Sequence, residues 1–169
     1  MTNKYVEHLQ VLVEDDANRQ LINGLALNPS VRARQLQVLP VAGGWAAVLD
    51  RLADPVELQR LASYPKRHLL LLIDFDNHLQ ARLATYQARK GAMPAGVADR
   101  IYLLGCLHEP EKLKAACSYA KSIEKLGQEL SEDCTPAPAQ TLWQHPHMQH
   151  NASELNRLVA QVKPFLYAF

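Results

Sequence analysis

Residues 68–73 (HLLLLI) constrain this chain more than any other segment. Their apolar side chains do not alternate with polar ones, so a strand built from them must be covered on both faces. That is the situation of a central strand in a parallel sheet. Parallel neighbours need long crossover connections, usually helical, so the flanking sequence should alternate strand with helix.

It does. Residues 9–13 (LQVLV) form a short apolar run that stops at Glu14, Asp15 and Asp16. Either aspartate can cap the next helix, whose stripe holds Ala17, Leu21, Ile22 and Leu25 and which ends near Asn28 and Pro29. A second strand is expected at 36–41, then a turn at Gly43 and Gly44 into a helix carrying Trp45, Val48, Leu49 and Leu52. Pro55 begins a further helical turn that runs to Leu61. After the third strand a helix should run to about Lys90, with a loop over 91–96 and a fourth strand at 101–104 ending at Gly105. One long amphipathic helix is expected over 110–130, with Leu113, Ala116, Cys117, Ala120, Ile123 and Leu126 inward. The stretch 135–139 (TPAPA) breaks it, Trp143 plugs the tail onto the sheet, and a last helix spans about 151–162. This order predicts one α/β domain with a mostly parallel central sheet flanked by helices. A core over 1–109 carries a helical extension over 110–169 packed on it.

At 169 residues, 48% hydrophobic and 21% charged, the chain can bury a core without staples and is not disordered. A net charge of +1 excludes a strongly basic nucleic-acid coat protein but not a local basic groove. No apolar run approaches the ~20 residues that span a bilayer, so no membrane is expected. The N-terminus MTNKYVEHLQ lacks the apolar stretch of a signal peptide, and Cys106, Cys117 and Cys134 form no C-x-x-C. Both features suit a reducing cytoplasm.

Ligands of parallel sheets gather at the C-terminal ends of the strands. Those ends are acidic here: Glu14 with Asp15 and Asp16, then Asp74 and Asp76, then Glu109 and Glu111. On an extended backbone Asp74 and Asp76 point to the same side. Converging carboxylates with no Lys or Arg interposed call for a cation, and Mg²⁺ or Mn²⁺ suits carboxylate oxygen. Asp15 and Asp16 read better as helix caps, with Asp15 a possible additional acid beside Glu109 and Glu111.

Glu14 after strand one, Gly43-Gly44 after strand two and Asp74-Phe75-Asp76 after strand three together resemble the TOPRIM signature. That domain occurs in topoisomerases, primases, RecR and OLD-type nucleases. The resemblance covers about the first 110 residues. It implies a Rossmann-like fold in which Glu14 serves as general acid/base or metal ligand and Asp74 and Asp76 hold the metal for phosphodiester chemistry. Many family members carry glycine directly after the glutamate; Asp15 stands there here, which points away from topoisomerase and primase and toward the OLD-like branch. A response-regulator receiver is similar in fewer places, namely Asp15 and Asp16, Gly44 and Lys163-Pro164-Phe165. Asp74 falls too far after the acid pair for a receiver, and Gly105-Cys106 stands where it would need Ser or Thr.

Other residues near these ends could bind phosphate. Arg82, Arg89 and Lys90 lie on roughly one side of the helix after strand three, around Tyr86, and Gly43 and Gly44 could cradle a phosphate. The cluster His145, His147 and His150, with Cys134 upstream, fits no structural zinc spacing and reads as surface or packing histidines. The expected activity is Mg²⁺-dependent phosphodiester chemistry on nucleic acid, as a nuclease. The alternative is a catalytically silent TOPRIM-like binding or regulatory subunit. The chain has no GxxxxGK[ST], so an ATPase partner would act in trans. Oligomeric state has no signal in the sequence.

Overall fold

In the computed structural model, which describes residues 3–134 and 141–168, the expected alternation is realised. In chain order the elements are β1 (His8–Val13), α1 (Asp16–Ala26), β2 (Leu36–Val38), α2 (Trp45–Asp50), α3 (Pro55–Ser63), β3 (Arg67–Leu72), α4 (Leu79–Gly91), α5 (Ala95–Ala98), β4 (Ile101–Leu104), α6 (Pro110–Ala116), α7 (Ile123–Glu132), α8 (Ala152–Gln161) and α9 (Lys163–Leu166). The strands form one parallel sheet in the order β2-β1-β3-β4, a Rossmann-like α/β arrangement. Val13 pairs with Leu72 and Leu72 with Leu104, so β1, β3 and β4 end together.

Strand alternation divides the core in two. Leu9, Val11, Val13, Leu70, Leu72, Tyr102 and Leu104 face a layer made by α1 and by the helices from α6 onward. Leu12, Leu69, Leu71, Ile73, Ile101 and Leu103 face α2, α3, α4 and α5. The 68–73 run is apolar because both layers need it. The outer edge of β4 is closed by side chains: the carbonyl of Ile101 accepts from the Tyr86 hydroxyl (3.3 Å) and from Arg157 Nη1 (3.1 Å). Such closure removes a template for stray strand pairing. No helix among the described residues is long and apolar enough to cross a membrane.

The structure corrects the expectation of one helix over 110–130. Two helices form instead, α6 and α7, separated at Cys117 (φ −98°, ψ 83°) and restarted by Ser122, whose hydroxyl accepts from the Lys125 N–H at 3.1 Å. Leu113, Cys117, Ile123 and Leu126 are buried and Ala120 is half-buried, but Ala116, expected inward, is exposed. The break lets α7 choose its own angle against α1, where the two backbones meet. A Cβ built on Gly24 would stand 2.0 Å from the Glu124 carbonyl oxygen, and one on Gly127 would stand 1.9 Å from that of Leu21. The break expected at 135–139 lies outside the described residues. Trp143 behaves as expected: it is buried in the first layer and donates from Nε1 to the Leu130 carbonyl at 2.9 Å.

Gly127→Ala should therefore lower stability by about 1–3 kcal/mol, because neither backbone can yield to the added methyl. Gly91→Ala, where nothing lies within 4 Å of the added carbon, should be neutral or slightly stabilising. Urea midpoints of the two variants against the native chain check this.

Candidate functional site at the C-terminal edge of the sheet

The site begins where β1 runs out. The Glu14 N–H still donates to the Leu72 carbonyl (3.0 Å), continuing the ladder, and the side chain takes over from there. Glu14 Oε2 accepts from the backbone N–H of Asp74 at 2.7 Å. The Glu14 carbonyl accepts from the N–H groups of Gly43 (2.9 Å) and Gly44 (3.2 Å), whose φ angles of 89° and 140° suit glycine. These two N–H groups are thus engaged in a strand-to-helix turn around Glu14 and are not turned to a phosphate.

Asp15 is the N-cap of α1: its Oδ1 accepts from the Asn18 N–H and from Asn18 Nδ2, each at 3.0 Å. Asp16, exposed, is bound to Arg19 and Gln20. Asn18 is fully buried and carries a role that sequence reasoning missed. The same Nδ2 donates to Asp74 Oδ1 at 3.0 Å, while Asn18 Oδ1 is buried without a hydrogen-bond partner. The available signal was a polar residue on the buried stripe of an otherwise regular amphipathic helix.

Asp74 is itself 5% exposed. Burial, with Asp15, Glu14 and Asp76 nearby, pushes its carboxyl up to about 8, against the opposing effect of the Asn18 amide. Burial raises Glu14 too, opposed by the Asp74 N–H and by Arg82. Asp76 does not follow the extended geometry expected for the D-x-D. Its φ is 45° and that of Asn77 is 61°, so the chain turns left-handed and carries Asp76 outward. There its Oδ2 meets Arg82 Nη1 at 2.9 Å. Arg82 is buried, lies 4.5 Å above the Trp45 ring, and also donates to the Asp74 carbonyl. The expectation that no arginine is interposed among the acids is thereby corrected: one side chain of α4 neutralises Asp76 and braces the turn.

The remaining candidates disperse. Arg89 pairs with Asp50 at 3.2 Å and the Lys90 ammonium lies 5.6 Å from the Tyr86 ring centre. Both are about 10 Å along the helix from Arg82 at 1.5 Å per residue. Glu109 takes the N-cap position of α6 and Glu111 is exposed in its first turn. Neither hydrogen-bonds to Glu14, Asp74 or Asp76 among the described residues. The histidines pack: His145 and His147 lie 4.8 Å apart edge to face, His147 and His108 lie 4.7 Å apart, and His150 Nε2 sits 2.7 Å from the Gly105 carbonyl. Lys163, the lysine of the receiver-like triplet, is bound to the Cys134 carbonyl.

No family model matches the chain, nor does any curated protein or solved structure. Among the described residues, no group of three or more His, Cys, Asp or Glu stands close enough together to hold a metal ion. The donor chemistry nonetheless suits a hard cation held by few protein ligands. Glu14 and Asp74 each keep one oxygen outside the bonds above, while Asn18 turns its amide nitrogen, not its unpartnered Oδ1, toward Asp74. Asp76 can join them only by leaving Arg82.

An acid whose folded pKa lies above its unfolded value stabilises the fold fully below the unfolded value and progressively loses that contribution up to the folded one. For Asp74 the window runs from the usual aspartate value of 3.8 to about 8. Asp74→Asn should abolish this loss, so the gap in urea midpoint between variant and native chain should shift in the variant's favour from pH 4 to pH 8.

Proposed function

We propose that this chain is a TOPRIM-like, cytoplasmic protein that performs Mg²⁺-dependent phosphodiester chemistry on nucleic acid, as a nuclease. The observation that carries the reading is the direct contact of Glu14 with Asp74. Two acids that follow different strands, sixty residues apart in sequence, meet at the edge where parallel sheets bind ligands, Asp74 buried and Glu14 half-buried. Burying two carboxylates together is unfavourable unless a proton or a cation compensates, and persistent arrangements of that kind mark functional sites.

Glu14 and Asp74 would hold Mg²⁺ or Mn²⁺, and the ion would supply Lewis-acid polarisation of a phosphate and an acidified water. The chain's own contribution is positioning. The Asp74 N–H fixes the Glu14 carboxylate, Asn18 fixes Asp74, and the Gly43-Gly44 turn holds the Glu14 backbone. The free oxygen of Glu14 is the group placed to accept a proton, because burial has raised its affinity for one. Arg82 supports a second reading, a catalytically silent binding or regulatory subunit working with an ATPase in trans. A guanidinium already neutralises Asp76, the acid the enzyme reading would also assign to metal.

The proposal is tested by thermal melting with added Mn²⁺ or Mg²⁺ beside cleavage assays on single-stranded DNA, double-stranded DNA and RNA. The native chain should melt higher with metal. Asp74→Asn should erase that rise, Glu14→Gln should abolish cleavage, and Asp16→Asn should leave both intact. No metal-dependent rise and no cleavage in the native chain would leave the silent subunit as the better account.

A further inference from the structure

On the side of the sheet that α3 covers, beside β1 and the start of β3, lies a basic groove set apart from the acids. Arg67 opens β3, Arg60 lies on α3, and Arg51 starts the helical turn Arg51–Ala53 that leads into it. All three line one groove with Gln10 and Glu57 over a floor of four leucines, Leu12, Leu39, Leu61 and Leu69. Glu57 is its only carboxylate, and a single oxygen, Oε1, serves two guanidiniums: Arg60 Nη1 at 3.0 Å and Arg51 Nη1 at 3.4 Å. Of the acids next along the chain, Asp50 pairs with Arg89 at 3.2 Å and Asp54 caps α3 by accepting from the Val56 N–H.

Arg67 gives its Nε to His8 Nε2 (3.2 Å) and lies 4.6 Å above the Tyr64 ring, while the Lys4 ammonium lies 5.5 Å from the same ring centre. Three guanidiniums therefore share the groove with one carboxylate, and beside them the Tyr64 ring meets both Arg67 and Lys4, with Tyr5, 72% exposed, next to Lys4. Burial lowers the pKa of Arg67, with Tyr64 and Glu57 opposing the shift and Arg60 adding to it. The groove is also held in shape. Arg100 donates to the carbonyls of Leu61, Tyr64 and Arg67, pinning the turn that presents Arg60, Tyr64 and Arg67.

Excess guanidinium beside accessible aromatic rings is the pattern that grips a flexible polyanion: planar forks take phosphate oxygens and rings take base faces. We propose that this groove binds the phosphodiester backbone of a single-stranded nucleic acid, with Arg51, Arg60 and Arg67 on phosphates and Tyr64 and Tyr5 stacking on bases. Arg67, at the start of β3, lies about 20 Å from Asp74, the length of β3 at ~3.3 Å per residue, and the groove needs no metal. It is a hold on the strand apart from any chemistry done to it.

The test is fluorescence anisotropy of a labelled single-stranded oligonucleotide titrated with the full chain in EDTA, at stepped salt. Binding should weaken with salt. Arg51→Gln with Arg60→Gln should weaken it by roughly tenfold and reduce the log–log salt slope by about 1.4, roughly 0.7 for each single-strand phosphate no longer neutralised. Glu57→Gln should tighten it, because the acid competing for both guanidiniums loses its charge. Arg51→Lys with Arg60→Lys should keep most of the salt slope, which separates charge from folding. No binding at low salt in EDTA, or a double Gln variant that melts and binds like the native chain, would overturn the proposal. The Mn²⁺ melting shift of the same preparation keeps the two sites apart. A shift without Arg-dependent binding defeats the groove alone, and Arg-dependent binding without a shift defeats the metal reading alone.

Discussion

The hydrogen bond from the Asp74 N–H to the Glu14 carboxylate is the interaction on which the edge of this sheet depends. Up to Leu72 the backbones of β1 and β3 bond to each other, residue for residue. Past that point the chain of β1 must leave for α1, and its last partner on β3 would lose an acceptor. The Glu14 side chain supplies one, extending the ladder by a further rung. An unpaired N–H at a buried strand end costs about 1–3 kcal/mol, so the glutamate has a structural reason to be there besides any chemistry.

That solution places a carboxylate beside Asp74 in a region with little water, and the neighbouring features follow from the charge. Asp15 caps α1 and Asn18 reaches from the same helical turn to both aspartates, so the cap and the acid share one amide. Arg82 crosses beneath the turn with its guanidinium over Trp45, taking the Asp74 carbonyl and the Asp76 carboxylate together. The left-handed backbone at Asp76 and Asn77 is what brings Asp76 to it. Arg82 brings positive charge to the acid cluster, and one oxygen each of Glu14 and Asp74 is not used in these bonds. Beside α3 the imbalance is reversed, with Arg51, Arg60 and Arg67 sharing a groove with the single carboxylate of Glu57 among the described residues. A net charge of +1 for the chain conceals both.

Much of the fold was legible because its signals are local. Uninterrupted apolar residues marked β3 as central, a short polar residue after β1 marked the start of α1, and Gly43-Gly44 marked a turn whose φ angles suit glycine. Position after a strand end also marked Glu14 and Asp74 as neighbours, since parallel strands of similar length finish on the same edge. The single helix expected over 110–130 failed for an equally physical reason. Its apolar stripe continues across the break, but Ser122 can cap a new helix, and the close approach of Gly127 to Leu21 demands a new direction.

Sequence by itself determined the strand and helix order, the two-sided burial of the third strand and the acidic character of the sheet's C-terminal edge, because each depends on residues close together in the chain. Tertiary structure alone decided how those charges are partnered. Asn18 and Asp74 are 56 residues apart, and Glu14 and Asp74 are 60. Trp45 and Arg82 meet only because α2 and α4 pack on the same face of the sheet. Whether an acid is capped, paired or left buried with an unused oxygen depends on which side chain arrives from across the fold, and no periodicity along the chain records that meeting.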